Sequence, residues 1–193
     1  MMPAAVVLAG GAGTRLGGAD KALLDLGGVT ALGHLLRRLA PQAGPICLSA
    51  NGDPARFAAT LLPVLPDDPA HSGMGPLAGL AAALAWAQAQ GADTLLVVPA
   101  DTPFVPADLV ARLTPAPAVA EAGGRVHHLV CLVPVMSRPV LVARLAQGHT
   151  RAAEFLIAIG ASRVVFSDAH AFLNINTPDD LARARALAGP VSL

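Results

Sequence analysis

The sequence predicts an α/β fold: one domain of three layers, α/β/α, around a mostly parallel sheet. Three observations lead there. The first 50 residues read as strand, loop, helix, strand, the opening of a parallel βαβ unit. Thr94-Leu95-Leu96-Val97-Val98-Pro99 is a short, continuous apolar run of the kind found in a central, doubly covered strand. Hydrophobic residues make up 54% of the 193 and charged residues only 13%. That balance suits a sheet covered on both faces, at a length that fits one domain.

Taken in order, Ala4–Leu8 reads as a buried first strand, followed by a glycine-rich loop to Lys21. Leu32, Leu35, Leu36 and Leu39 recur at helical spacing, with Thr30 placed to cap and Pro41–Pro45 ending the helix. Ile46–Ala50 is the second strand and runs into Asn51-Gly52-Asp53. Arg56–Leu62 reads as a short helix, and Val64-Leu65 as a brief strand before Pro66-Asp67-Asp68-Pro69. Ser72–Leu80 opens a helix through about Gln90, with Pro76 near its first turn, where a missing N–H costs nothing. Ala and Leu on every side predict that this helix is buried, and Gly75 and Gly79 permit close backbone contact at its start.

The central strand ends in Ala100-Asp101-Thr102-Pro103, and a helix is expected over 106–113. Strands follow over 116–120 and 126–135, separated by Gly123-Gly124, then helices over 137–146 and 151–159 and a strand over 162–166. In the last helix Thr177 caps, Pro178 takes the first position, and Asp179 and Asp180 face the positive helix end. Pro41–Pro45 and Pro115–Pro117 read as loops within residues 1–193, treated as a single domain.

Composition excludes several classes of function. Thirteen basic and thirteen acidic residues give a formal net charge of zero, without the basic stripe of a general nucleic-acid binder. Aromatic residues are 3% and Tyr is absent, which argues against a base-stacking platform. Glycines and prolines interrupt every apolar run long enough to approach a bilayer span, so no membrane partner is expected. Cys47 and Cys131 lie in apolar runs and read as buried thiols of a cytoplasmic protein. The six histidines include no pair at zinc spacing.

The chemistry concentrates in Leu8-Ala9-Gly10-Gly11-Ala12-Gly13-Thr14-Arg15-Leu16-Gly17-Gly18-Ala19-Asp20-Lys21. Glycines let backbone N–H groups turn together toward a ligand, and Arg15 and Lys21 can clamp an anion held there. A polyphosphate is the natural ligand. The loop is not a P-loop, because Lys21 precedes Ala22 and not Ser or Thr. It fits a dinucleotide loop poorly, because the third glycine, Gly17, falls one residue late. Asp101, at the carboxyl end of the central strand, lies on the edge where open α/β sheets bind ligands. It is placed to hold Mg²⁺, or, read alone, to cap the next helix.

The pattern Leu-Ala-Gly-Gly-x-x-x-Arg-Leu-Gly-Gly-x-Asp-Lys resembles the signature loop of nucleotidyltransferases, and its Asp-Lys ending resembles the molybdenum cofactor guanylyltransferases, the MobA family. The resemblance continues through Asn51, Asp68, Gly75-Pro76-Leu77-Ala78-Gly79, Pro99-Ala100-Asp101-Thr102-Pro103 and Asn174-Ile175-Asn176-Thr177-Pro178. It implies a Rossmann-like sheet of the nucleotidyltransferase type. It also implies transfer of GMP from GTP to the terminal phosphate of molybdopterin, with Mg²⁺ as cofactor. Leu8, Ala9, Gly10, Gly11, Lys21, Asn51, Asp68, Gly75 and Asp101 would then bind the nucleotide, and Asp101 the metal. Arg15, Lys21 and Asp101 would be catalytic, and Asn174 and Asn176 would bind the acceptor. The resemblance leaves room for transient contact with other cofactor-biosynthesis proteins or acceptor enzymes.

Read without the family, Asn51 is a strand-end turn residue, Asp67 and Asp68 a Pro-flanked turn, and Asn174 and Asn176 turn-forming amides. Asp68 fits the family position when counted back from Gly75, with Asp67 one residue away. The alternation of the two asparagines puts both side chains on one face. The chain departs from the family at His128, where a proline commonly follows the histidine matched by His127. It also keeps only Arg151 of two adjacent basic residues. A cytidylyltransferase of the same cofactor, a sugar-phosphate nucleotidyltransferase and a non-catalytic nucleotide binder are the alternatives. The first two are separated from a guanylyltransferase by which nucleotide and acceptor turn over, and the third by the absence of pyrophosphate release.

Overall fold

The structure, a computed structural model, describes residues 2–10, 12–13 and 19–189. The first strand, β1 (Ala4–Leu8), is buried along its whole length. Next, β2 (Ala12–Gly13) pairs antiparallel with β3 (Ala19–Asp20). A single 3-10 turn, Lys21–Leu23, follows, with Asp20 accepting from the Ala22 amide at its start. Helix α1 (Ala31–Leu39) begins where expected, with the Gly33 amide donating to Thr30 Oγ1 at 3.0 Å. Strand β4 (Ile46–Ser49) leads to a 3-10 segment over Pro54–Thr60, two residues earlier than the expected helix, because Asp53 caps it and Pro54 takes its first position.

Next come β5 (Val64–Leu65), α2 (Pro76–Ala89), β6 (Thr94–Pro99) and α3 (Leu109–Leu113). Strand β7 (Ala118–Ala122) starts two residues later than the sequence reading, just after Pro117, which has no N–H for the ladder. Strand β8 (Arg125–Pro134) returns beside it, followed by α4 (Arg138–Ala146), α5 (Ala152–Ala158), β9 (Ser162–Phe166) and α6 (Pro178–Ala188).

Seven strands form one sheet in the order β5-β4-β1-β6-β8-β7-β9. Its pairs are parallel except where β8 runs antiparallel to both β6 and β7. Alternation along the strands divides the core between the two faces. Val7, Leu48, Leu96 and Val98 pack with Leu32, Leu35 and Leu39 of α1 and Leu109 and Leu113 of α3. Val6, Cys47, Leu95 and Val97 pack with Leu77, Leu80 and Leu84 of α2 and with residues of α4 and α5. The α/β/α layering follows directly.

Helix α2 is buried along most of its length, as its all-round Ala and Leu composition required. Both cysteines are buried and free, and burial pushes each thiol up to about 12. A smaller cluster of Leu26, Ala31, Phe104, Ile175 and Ala184 fastens α6 to the α1 side. No helix among the described residues is long and apolar enough to cross a membrane.

Candidate functional site

Register decides what meets at the carboxyl edge of the sheet. Leu8 is level with Ser49 of β4 and with Pro99 of β6. The same pairing continues one step past the strands, through Ala9 N to Ser49 O at 2.9 Å and Ala100 N to Leu8 O at 3.0 Å. Two residues past that level on each strand lie Gly10, Asn51 and Asp101, side by side at one edge.

Asp101 has neighbours from distant parts of the chain. The Ile175 amide donates to its backbone carbonyl at 2.9 Å, which draws the segment 174–176 onto the end of β6. Ile175 is buried in the α6 cluster, so the flanking Asn174 and Asn176 turn the other way. Lys21 Nζ donates to Asn176 Oδ1 and lies 3.5 Å from Asp101 Oδ2. Thr102, fully buried, donates from Oγ1 to Asn174 Oδ1 at 3.0 Å, and the same hydroxyl lies 3.4 Å from Asp101 Oδ1. Lys21, Asp101 and the pair Asn174 and Asn176, three stretches widely separated in sequence, therefore form one cluster.

Burial pushes the Asp101 carboxyl above its usual range, and the attraction and hydrogen bond of Lys21 offset this only in part. Both contacts to its oxygens are long, so the carboxylate has capacity for a further positive partner. Among the described residues no three His, Cys, Asp or Glu side chains gather into a metal cluster. A carboxylate on a sheet edge suits a hard cation such as Mg²⁺, which keeps waters and draws its other ligands from phosphate. The residues present fit that mode of binding.

Two hollows flank this edge and share Leu8, Ala9, Gly10, Asp20 and Pro76. The first, about 410 Å³, holds Lys21, Asp101 and Asn174, with Arg125, His127 and His128 of β8 opposite. Burial, and next the nearby Arg125, keep His127 easier to deprotonate than a free imidazole. Its ring lies 4.9 Å from that of Phe172. Arg151, by contrast, pairs with Glu154 at 3.6 Å beside Arg144 and His149, and lines neither hollow.

The second hollow, about 650 Å³, is walled by Ser49, Asn51, Arg56, Asp67, Gly75 and Gly79. Asn51 and Asp67 are joined twice. Asn51 Nδ2 donates to Asp67 Oδ2 at 2.8 Å, and the Asp67 amide donates to Asn51 Oδ1 at 2.9 Å. Asp68 is turned elsewhere: its carboxylate accepts from the Ala70 amide at 2.9 Å and caps the 3-10 turn Pro69–His71. The acid facing Asn51 is thus Asp67, the neighbour of the residue that counting from Gly75 selects.

Gly75 adopts a positive φ of 71° just before α2, a conformation that favours glycine. Gly79 has a steric reason: a Cβ there would come 2.1 Å from Ser49 Oγ. Gly11 and Arg15 lie outside the described residues. The sequence reading did not single out Asp67 over Asp68, nor Arg56, Arg125 or Thr102. For Thr102 the available signal was its place beside Asp101, and for Arg125 its place directly after the Gly123-Gly124 turn.

Comparison with known proteins agrees with this architecture. A family model described as "MobA-like NTP transferase domain" matches residues 5–163. A relative from Cereibacter sphaeroides named "Molybdenum cofactor guanylyltransferase" is 52% identical over 186 residues, covering 94% of this chain and 95% of its own. One of the same name from Acidiphilium cryptum is 53% identical over 184 residues, covering 94% and 93%. Among solved structures, the molybdopterin-guanine dinucleotide biosynthesis protein A of Archaeoglobus fulgidus shares the fold. It superposes with a TM-score of 0.75 at 22% identity, over 96% of this chain and 98% of its own.

Proposed function

The chain belongs to the MobA-like NTP transferase family, and on that premise we propose that it transfers GMP from GTP to the terminal phosphate of molybdopterin. The products are the guanine dinucleotide cofactor and pyrophosphate. The observation that carries this reading is the meeting of Lys21, Asp101, Asn174 and Asn176 at the sheet edge, in one of two hollows that adjoin through Leu8, Ala9, Gly10, Asp20 and Pro76. The hollow of Asn51 suits a nucleoside and the other an acceptor, with Lys21 and Asp101 lining the latter beside the glycine-loop residues that both share.

The acceptor phosphate oxygen bonds to the α-phosphorus while the bond from that phosphorus to the β-phosphate oxygen breaks, and pyrophosphate departs with the electron pair. The nucleophile is already ionised, so no side chain has to remove a proton. The obstacles are repulsion between anions and the charge that gathers on the leaving group. Lys21 answers both, because its ammonium sits beside Asp101 and can move from Asn176 and Asp101 to phosphate oxygens. When bound at Asp101, Mg²⁺ supplies further positive charge against the triphosphate.

Leu8, Ala9, Gly10 and Gly11 are assigned to the triphosphate, together with Arg15. Asn51, Gly75 and the Asp67-Asp68 pair are assigned to the nucleoside, with Asp67 the better oriented acid toward the hollow. Asn174 and Asn176 are assigned to the acceptor, together holding it in line with the α-phosphorus. Pyrophosphate release in the presence of molybdopterin and Mg²⁺ tests the reading, with GTP and CTP compared at saturation. Release with GTP and little with CTP is expected. Release with CTP alone, or with neither nucleotide, overturns it.

A further inference from the structure

We propose that Arg56 is a positioning residue for Lys21, acting through Asp20; the inference rests on the nucleotide-binding reading above. Arg56 makes three contacts at once. Its Nε pairs with Asp20 Oδ2 at 3.0 Å, its terminal nitrogen donates to the Asn51 carbonyl at 2.8 Å, and its guanidinium carbon lies 4.7 Å from the centre of the Phe57 ring. Phe57 is buried, so the guanidinium is backed by a fixed surface. The second oxygen of Asp20, Oδ1, accepts from the Ala22 amide at 3.1 Å and caps the turn that carries Lys21. An unbroken path of contacts therefore runs from Phe57 through Arg56 and Asp20 to the turn of Lys21.

The path ties the end of β3 to the end of β4, across the hollow assigned to the nucleoside. Through Asn51 it also reaches the doubly bonded Asn51–Asp67 pair. The planar guanidinium presents donors along two edges in a fixed relation, which an ammonium cannot do. Gly52, at a φ of +84°, leaves room for it, since a Cβ there would lie 3.1 Å from an Arg56 terminal nitrogen. Arg56 thereby sets the Lys21 turn and the nucleoside wall as one unit before the nucleotide arrives.

The test is a double-mutant cycle read as GTP affinity with Mg²⁺ present, on Arg56→Ala, Asp20→Asn and the pair, with Arg56→Lys beside them. Asp20→Asn keeps an oxygen to cap Ala22 but loses the acceptor for Arg56. Each single variant is expected to weaken GTP about tenfold, the scale of one charge-assisted hydrogen bond, while the pair weakens it no further. Arg56→Lys is expected to weaken GTP as Arg56→Ala does. Thermal midpoints should barely move, because the ion pair is partly exposed. Should Arg56→Ala fail to fold, Arg56→Lys and Asp20→Asn carry the same comparison.

Additive losses, or wild-type affinity in Arg56→Lys, would overturn the positioning role in favour of simple charge. A pair that regains wild-type affinity would overturn it in favour of cancelling the Asp20 charge. A wild-type chain that binds no GTP overturns the guanylyl-transfer reading itself, whereas one that binds GTP with additive variants overturns only this inference.

Discussion

The two hollows at the sheet edge differ in how their polar groups are satisfied. In the hollow of Asn51, protein answers protein: Asn51 and Asp67 bond each other twice, and Arg56 closes the group against Asp20. In the hollow of Asp101, the carboxylate is drawn out of water and held by contacts of 3.4 and 3.5 Å, with its pKa pushed up by burial. The first is a finished wall. The second leaves electrostatic demand unmet, which suits a site where phosphate and a cation complete the arrangement. The contrast implies that substitutions in the hollow of Asp101 cost activity and little stability, whereas those that disturb the buried packing behind the hollow of Asn51 cost both.

The largest effect is expected at Asp101. Asp101→Ala should abolish Mg²⁺-dependent turnover, and a retained metal titration would point to another ligand. Asp101→Asn should be equally inactive, yet the metal-free protein should melt no lower than wild type, because a buried charge has been removed. A clear drop in its midpoint would break the comparison. Lys21→Ala comes next, with a loss of roughly 10²-fold or more in rate at saturating GTP, the scale of one preorganised donor. Near-wild-type turnover would remove Lys21 from the reacting phosphates.

Gly79→Ala probes the finished wall. The new methyl would meet Ser49 Oγ at 2.1 Å and Ser49 Cβ at 3.2 Å, both buried. Destabilisation of about 1–3 kcal/mol is expected from such overpacking, with weaker nucleotide binding. Adding Ser49→Gly should recover much of the stability in a denaturant titration; no recovery would place the strain elsewhere.

The smallest effect lies at the start of α6. Burial pushes the Asp180 carboxyl up, and hydrogen bonds from the Thr177 hydroxyl and from the Asn176 and Thr177 amides together outweigh it, so the group lies below the usual carboxylate range. Its stabilisation is therefore full above the ordinary carboxylate pKa and is lost as pH falls through the lowered value. Thr177→Ala should cost about 1 kcal/mol near neutrality, the usual worth of such a cap. Part of that difference should fade in acid. A gap that widened in acid would reverse the sign assigned to Asp180.

Much of this was legible without coordinates wherever the signal is local. Thr30 and Thr177 announce their helices because a cap needs only the next three residues. The all-apolar face of α2 announces burial, and the apolar runs announce β1, β4 and β6. The choice between Asp67 and Asp68 was not legible, because adjacent residues differ only in the direction the folded turn gives them. Nor was the route of Arg56, whose partners Asp20 and Asn51 are joined by the sheet and not by spacing.

By itself the sequence determined the layered α/β class, the order of its main elements and the gathering of glycines and two cations in one loop, since composition, periodicity and capping act over a few residues. Only the tertiary structure decided that β8 would run antiparallel between β6 and β7, that Asn176 would reach Lys21, and that Gly10, Asn51 and Asp101 would stand level. Those outcomes depend on strand register and on the burial of Ile175, which bring residues from opposite ends of the chain within bonding distance. No local signal records such distances; they are fixed by the packing of the whole core.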